Sequence, residues 1–333
     1  MKIVVDAMGG DHAPYEIVKG AIEASGDIDG RIILVGQEDK VNKELEKYSY
    51  EEGKIEVVHA SEIIGMDESP ARALRKKKDS SIVVGSKLVK KGEADAFVSA
   101  GSTGAVMASA LLKIGRIKGV ARPAIATVFP TLKGETLVLD AGANVDSKPE
   151  HMVQHALMAH IYASELLGKK NPKLGLLSVG EEEKKGNELT KEVHKILKKI
   201  EDINFVGNAE GRDIFTGEFD IILCDGFVGN VVLKTTEGLA DALFKIIKRE
   251  IKANWLGKLG GLLLKPAFKR VAKKMDYTEY GGAPLLGIDG VTIISHGSSN
   301  AKAIKNAIKN AQKAIDADLI NLTKANIGGR NDG

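Results

Sequence analysis

Five times along this 333-residue chain, an apolar run ends in a polar residue, then a glycine-containing turn, then a helical pattern. Ile3 to Asp6 leads into Gly9, Gly10, Asp11 and His12. Ala94 to Val98 leads into Ser99, Ala100, Gly101, Ser102, Thr103 and Gly104. Thr136 to Asp140 leads into Ala141 to Asn144. Asp220 to Asp225 leads into Gly226 to Asn230, and Val291 to Ser295 into His296, Gly297, Ser298, Ser299 and Asn300. Strand, tight turn and helix repeated in this way predict an open α/β sheet covered on both faces, a three-layer and mostly parallel arrangement. In such a sheet the carboxyl ends of the strands lie on one side, so the five turns should meet on one rim of one cleft.

The turn at Ser99 to Gly104 has the strongest local logic. Ser102 is placed to cap the following helix, and the amides of Thr103 and Gly104 would point outward from its first turn. Free N–H groups and the helix dipole both favour an anion there. A single turn of this kind is as well explained by close packing of strand on helix; five of them change the balance. No Gly-Lys-Ser/Thr follows, so this is not a Walker motif, and the third glycine of a dinucleotide fingerprint is missing.

Elsewhere the chain reads as alternating elements: a helix from Pro14 to about Ser25, a strand at Ile32 to Val35, a helix at about Asp39 to Tyr48 and a strand at Ile55 to Val58. Ala60 to Asp79 reads as irregular and cationic, with Arg72, Arg75, Lys76, Lys77 and Lys78; it is either a solvated face or a loop supplying cations to the cleft. Ser81 to Lys91 is a helix. Arg122 to Phe129 is a strand bracketed by prolines, as at a sheet edge. His151 and His155 lie four apart on the helix at about Lys148 to Leu167. That spacing suits a metal, but no carboxylate completes a known pattern, so an interface or core face is the better reading and no metal or other cofactor is expected. Leu174 to Ser178 is a strand, Lys185 sits in a charged loop, and a helix covers about Leu189 to Lys199.

Composition matters at two points. The single cysteine, Cys224, lies in a strand, reads as a core residue, and fits a reducing cytoplasm. The chain opens directly on a strand, with no signal peptide and no apolar run of membrane-spanning length. Charge is the second. Lys245 to Lys274 holds ten Lys or Arg and one acid, +9 within a chain of +3, so the remainder is −6. Basic character this local argues against general nucleic-acid binding. The same region carries Trp255, Leu256, Leu259, Leu262, Leu263 and Leu264, too many large apolar groups for an exposed turn. Residues 231–276 therefore read as a projecting helix, glycine-broken tip and basic helix within one α/β unit spanning 1–333. The tip contacts an anionic membrane surface or a dimer partner.

Helix N-termini, aspartates and histidines without a nucleophile motif suit a substrate that brings its own nucleophile, as when phosphate attacks a thioester. The ordered motifs Val5 to Pro14, Ser99 to Gly104, Asp140 to Asp146, Lys185 to Asn187, Asp225 to Asn230 and Gly281 to Gly287 resemble the bacterial acyl-ACP:phosphate acyltransferases over essentially the whole chain. The resemblance implies transfer of a long-chain acyl group from acyl carrier protein to inorganic phosphate. The acyl phosphate would feed glycerolipid synthesis. It also implies a fold like that of isocitrate and isopropylmalate dehydrogenases, a homodimer, peripheral membrane contact, and a downstream membrane glycerol-3-phosphate acyltransferase as partner. Expected roles are proton handling for His12 or His296 and oxyanion donation for Asn144 and Asn230. Phosphate binding or loop orientation falls to Asp6, Gly9, Gly10, Asp11, Ser99, Gly101, Ser102, Thr103, Gly104, Asp140, Asp225, Gly226, Gly297 and Ser298, with Lys78 and Lys185 as cations. Carrier protein would meet the Arg72 to Lys78 surface. The alternatives are a short-chain phosphotransacetylase using acyl-CoA and a metal-dependent decarboxylating dehydrogenase of similar fold.

Overall fold

A computed structural model describes residues 1–275 and 277–328. Position 276, the last of the projecting segment expected from sequence, lies outside the described residues. The strands are β1 (Lys2–Asp6), β2 (Arg31–Gly36), β3 (Ile55–His59), β4 (Ala96–Ser99), β5 (Ala124–Thr131), β6 (Gly134–Leu139), β7 (Leu174–Leu177), β8 (Phe205–Ala209), β9 (Ile221–Leu223), β10 (Ala283–Leu286) and β11 (Val291–Ile294). They form a single sheet in the order β3-β2-β1-β4-β11-β10-β5-β6-β9-β7-β8. β-branched runs such as Ile3-Val4-Val5 are buried on both faces, which makes them continuous rather than alternating apolar strings.

Side chains alternate between the two faces. Ile3, Val5, Ile32 and Leu34 pack with helices Tyr15–Ser25, Pro149–Glu165 and Ala301–Asp316. Val4, Ile33 and Val35 pack with Ser81–Lys90 and Thr103–Ser109. On this second face the apolar packing is split. Ile125 of β5 belongs to the cluster under β4, whereas Phe129 of the same strand belongs to a separate cluster with Val138, Ile222 and Cys224. Thr127 lies between them.

The sheet is mostly parallel, as expected, but its strands do not all run in one direction. β1, β2, β3, β4 and β11 are mutually parallel, but β10 is antiparallel to β11 and to β5, and β5 is antiparallel to β6. The parallel group β6-β9-β7-β8 therefore runs opposite to the first group. The Arg122 to Phe129 run is not an edge strand. Ala124 and Ile125 pair with β10, whereas Ala126 to Thr131 pair with β6 alone, so the greater part of the strand, with Pro130, has a neighbour on one side.

Other local readings change as well. The irregular stretch holds a helix at Pro70–Lys76. Ser102 stands at the N-cap position but its side chain makes no capping bond. The helix it starts passes at Ala110–Ile114 into a π-helical turn closed by Gly115. The segment expected as a glycine-broken tip is helical throughout. Helix Gly226–Lys252 reverses at residues 253 and 254 into helix Trp255–Met275. Asn254 accepts from the Gly257 amide, and a Cβ on Gly257 or Gly261 would stand 2.6 Å or 2.4 Å from Ile251 atoms. These glycines allow helix-on-helix approach instead of ending the helix. Trp255 (71%) and Leu263 (75%) stay exposed, with Leu256, Leu259, Leu262 and Leu264. No described helix is long and apolar enough to cross a membrane.

Candidate active site

Two buried carboxylates organise the turns, one in each half of the sheet. Asp6, at the end of β1, accepts from the Met8 amide (3.1 Å) and the Ser99 hydroxyl (2.7 Å), and Ser99 Oγ accepts from the Gly101 amide (3.0 Å). The first two glycine turns are thereby tied together. Gly9 is fixed by space, since a Cβ there would lie 2.4 Å from Asp6 Oδ2 and 2.7 Å from the Gly101 nitrogen. The Asp11 amide donates to the Gly297 carbonyl at 2.8 Å, which brings in the turn after β11. Burial raises the Asp6 pKa above the usual carboxylate value, against the pull of the Ser81 and Ser99 hydroxyls and the Met8 and Gly9 amides.

Asp140, after β6, is more heavily bonded. Its carboxylate accepts from the amides of Ile125, Gly142, Ala143 and Asn144 and from Asn144 Nδ2, at 2.8 to 3.1 Å. Asn144 Nδ2 also donates to the Pro123 carbonyl at 2.7 Å. Both amide hydrogens of Asn144 are taken, so its side chain is a brace for the turn and not a donor to a ligand. The Asp225 carboxylate caps its own helix, accepting from Phe227 and Val228 at 3.0 Å each, which occupies the N–H groups an anion would need. Close packing explains Gly226 and Gly229, whose Cβ atoms would stand 2.5 Å from the Asn144 carbonyl and 1.9 Å from the Asp140 carbonyl. Cys224 is buried beside Asp140, and burial pushes its thiol well above the ordinary value, as fits a core cysteine.

A chamber of about 250 Å³ lies over the gap in the second face. Thr103 reaches it from the turn after β4; Ser295 and His296 from the turn after β11; Ala141 and Gly142 from the turn after β6; and Asn230 from the first turns of helix Gly226–Lys252. Ile125 and Thr127 of β5, Ala283 of β10 and Ile294 of β11 form its floor. The turns of the two halves thus meet across the reversal in strand direction, not on one rim. At His296, the Ser298 amide donates to Nδ1 (3.2 Å) and Ser298 Oγ lies 2.8 Å from the same atom. A backbone N–H can only donate, so Nδ1 is the acceptor and the neutral ring carries its proton on Nε2.

Asp6, Gly9, Gly10, Ser99, Gly101 and Gly297 form a layer beside this chamber, with Ser102 buried at the start of its helix. Gly104 meets Pro70 of the short helix. Of the expected catalytic and phosphate-binding residues, Thr103, Asn230 and His296 line the chamber itself; the others do not. Asp11, His12, Lys78 and Lys185 are exposed and line neither this chamber nor its neighbour. His151 and His155 are buried, their pKa values lowered by burial, with His155 Nε2 3.2 Å from the Arg122 carbonyl. No three His, Cys, Asp or Glu among the described residues are grouped to hold a metal. Several polar chamber residues escaped the sequence reading: Thr127, Ser295, Tyr280, and Lys234 and Glu237, which pair at 2.8 Å. The hydroxyls of Thr127 and Ser295 are buried with no hydrogen-bond partner among the described residues, and Ser295 is 3% exposed. Thr127 carried a signal: it interrupts the apolar string Ala124-Ile125-Ala126 before Val128.

The profile of a family described as "Fatty acid synthesis protein" matches residues 1–322. A phosphate acyltransferase from Halothermothrix orenii is 57% identical over 331 residues, covering 98% of each chain. One from Desulfitobacterium hafniense strain Y51 is 58% identical over 325 residues, 97% of this chain and 96% of that one. Among solved structures, a phosphotransacetylase from Streptococcus pyogenes superimposes with TM-score 0.66 at 19% identity, over 95% of this chain and 94% of the other. A 4-hydroxythreonine-4-phosphate dehydrogenase from Klebsiella pneumoniae gives 0.51 at 14% identity, over 93% and 98%. At those identities the likeness is one of fold.

Proposed function

The chain belongs to the fatty acid synthesis protein family and is a phosphate acyltransferase, and from that premise we propose that it moves a long-chain acyl group from acyl carrier protein to inorganic phosphate. The observation that carries this reading is the chamber where Thr103, Gly142, Asn230 and His296 face one space from opposite halves of the sheet. Phosphate sits against the amides of Thr103 and Gly104, where free N–H groups and the helix dipole favour an anion. One phosphate oxygen attacks the thioester carbonyl carbon. The carbonyl oxygen takes up the negative charge and is met by the Asn230 amide. The carbon–sulfur bond then breaks, the carbonyl re-forms, and acyl phosphate and the carrier's thiol separate. His296, with its proton on Nε2, hydrogen-bonds the leaving sulfur, and the proton that phosphate loses on becoming an acyl phosphate goes to that thiolate. A thiolate is a stable leaving group, with a pKa of about 8.5, so the protein's main task is to hold the two reactants in line. Asp6 and Asp140 keep the turns in place and touch neither reactant.

Carrier protein is acidic in this reading and docks on Arg72, Arg75 and Lys76, all exposed beside the chamber's Thr103 turn. The hairpin of helices Gly226–Lys252 and Trp255–Met275 rests its apolar, basic surface on anionic lipid of the cytoplasmic membrane, near the glycerol-3-phosphate acyltransferase that consumes the product, and the chain works as a single α/β unit within a homodimer. The test is incubation with palmitoyl-carrier protein and phosphate. Release of the mixed anhydride, lost when phosphate is omitted, is expected; a free fatty acid or no reaction contradicts the reading. Equal turnover of acetyl-CoA would favour the short-chain alternative.

A further inference from the structure

The chamber does not end at its polar turns. It shares Thr127, Val128, Leu233, Glu237, Tyr280 and His296 with a second, outer chamber of about 950 Å³. We infer that the acyl chain of the donor lies in this outer chamber, extended along β5, and that Phe129, Phe215 and Phe244 at its far end set the chain length accepted. The inference rests on the acyl-transfer reading above.

Two independent periodicities give the groove the same axis. On β5, alternate residues share a face. Ile125 lines only the inner chamber, Thr127 lines both, and Phe129 lines only the outer one. On helix Gly226–Lys252 the stripe Asn230, Leu233, Glu237, Ala240, Phe244 steps by three and four residues along one side. Asn230 lines only the inner chamber, Leu233 and Glu237 line both, and Ala240 and Phe244 only the outer one. Strand and helix therefore lead from the anion-binding turns toward the phenylalanines. The strand-side floor is apolar from Val128 to Pro130, and the rings of Phe129 and Phe215 meet edge to face at 5.9 Å and 85°.

The chemistry matches a reactive carbonyl with an apolar tail. The head needs donors and an anion site; the tail needs an apolar strip continuous with it. The outer chamber offers one beside the charged Glu237, Asp241, Lys269, Glu279 and Lys302 that also line it, in a volume within the ~300–1,000 Å³ usual for ligand pockets. His296 and Thr127 stand at the junction, where the thioester would lie.

The test compares kcat/KM for hexanoyl-, hexadecanoyl- and octadecanoyl-carrier protein in wild type, Ala240→Trp and Phe215→Ala. Folding is checked by circular dichroism and mass by light scattering. Ala240→Trp narrows the trough midway and should lower the C16 to C6 ratio by at least about tenfold. Phe215→Ala opens the far end and should raise the ratio of C18 to C16 donors. If Ala240→Trp fails to fold, Phe215→Ala decides alone. Unchanged ratios in a wild type that makes acyl phosphate overturn the groove assignment and leave the acyl-transfer reading intact. A wild type that makes no acyl phosphate from any donor overturns that underlying reading instead. A change of oligomeric mass with unchanged ratios would give the groove to a second copy of the chain, and would equally overturn the assignment.

Discussion

Asp6 and Asp140 occupy matching places in the two halves of the sheet, each buried just where a strand gives way to a glycine turn. They are held differently. Asp140 accepts from four backbone amides and a side-chain amide, enough to hold a carboxylate in a dry site. Asp6 meets fewer donors, and burial raises its pKa. The lesson is that one brace is built from the peptide chain around the charge, whereas the other joins separate turns through a serine hydroxyl. The first should behave as structure and the second as an adjustable link.

The comparison is tested most severely at Asp140. Asp140→Ala leaves several buried N–H groups without an acceptor, and denaturant unfolding should show a loss of at least ~3 kcal/mol; Asp6→Ala should lose less. Equal losses would erase the distinction. His296→Gln and Asn230→Ala come next, because they reach the chamber from opposite halves. Each should lower kcat on the order of 10²-fold, about 2.7 kcal/mol, with little change in melting temperature. A loss confined to one of them would mean that the halves do not share the chemistry.

A smaller effect tests Asp6 by pH. A carboxyl whose folded pKa is raised binds its proton more tightly when folded, so its contribution to stability falls as pH rises from the unfolded value through the folded one. Wild type should therefore lose stability relative to Asp6→Asn as pH rises above 3.8. Parallel curves would show that Asp6 is not held as described. The smallest change in stability belongs to the hairpin. Leu262→Ser with Leu263→Ser should move unfolding by less than ~0.5 kcal/mol because both side chains are exposed. Sedimentation with anionic vesicles should fall sharply for the same protein.

The five turns and most helices were legible because a polar residue and glycines after an apolar string have local causes. Strand direction was not: whether β5 and β6 run antiparallel depends on pairings that no window of sequence contains. The short β10 with Pro284 and the β8 run, broken by Gly207 and Asn208, lack a continuous apolar string, and both escaped. At the site, the placements that sequence could not give were those needing knowledge of partners. Asn144 looks like any donor until Asp140 and Pro123 are seen to take its hydrogens. His12 sits in the right turn yet faces solvent. Gly257, Gly260, Gly261 and Pro266 announce a broken tip, but Ile251 of the neighbouring helix uses two of those glycines as a packing surface.

The direct test of a shared cleft is a titration with a non-hydrolysable acyl phosphonate, which carries both the anion and the acyl carbonyl, followed by the backbone amide resonances of Thr103, Gly104 and Gly142 and the side-chain amide of Asn230. The account predicts that signals from both halves shift together along one binding curve with a single Kd. Shifts restricted to Thr103 and Gly104, or two curves with different Kd values, would contradict it.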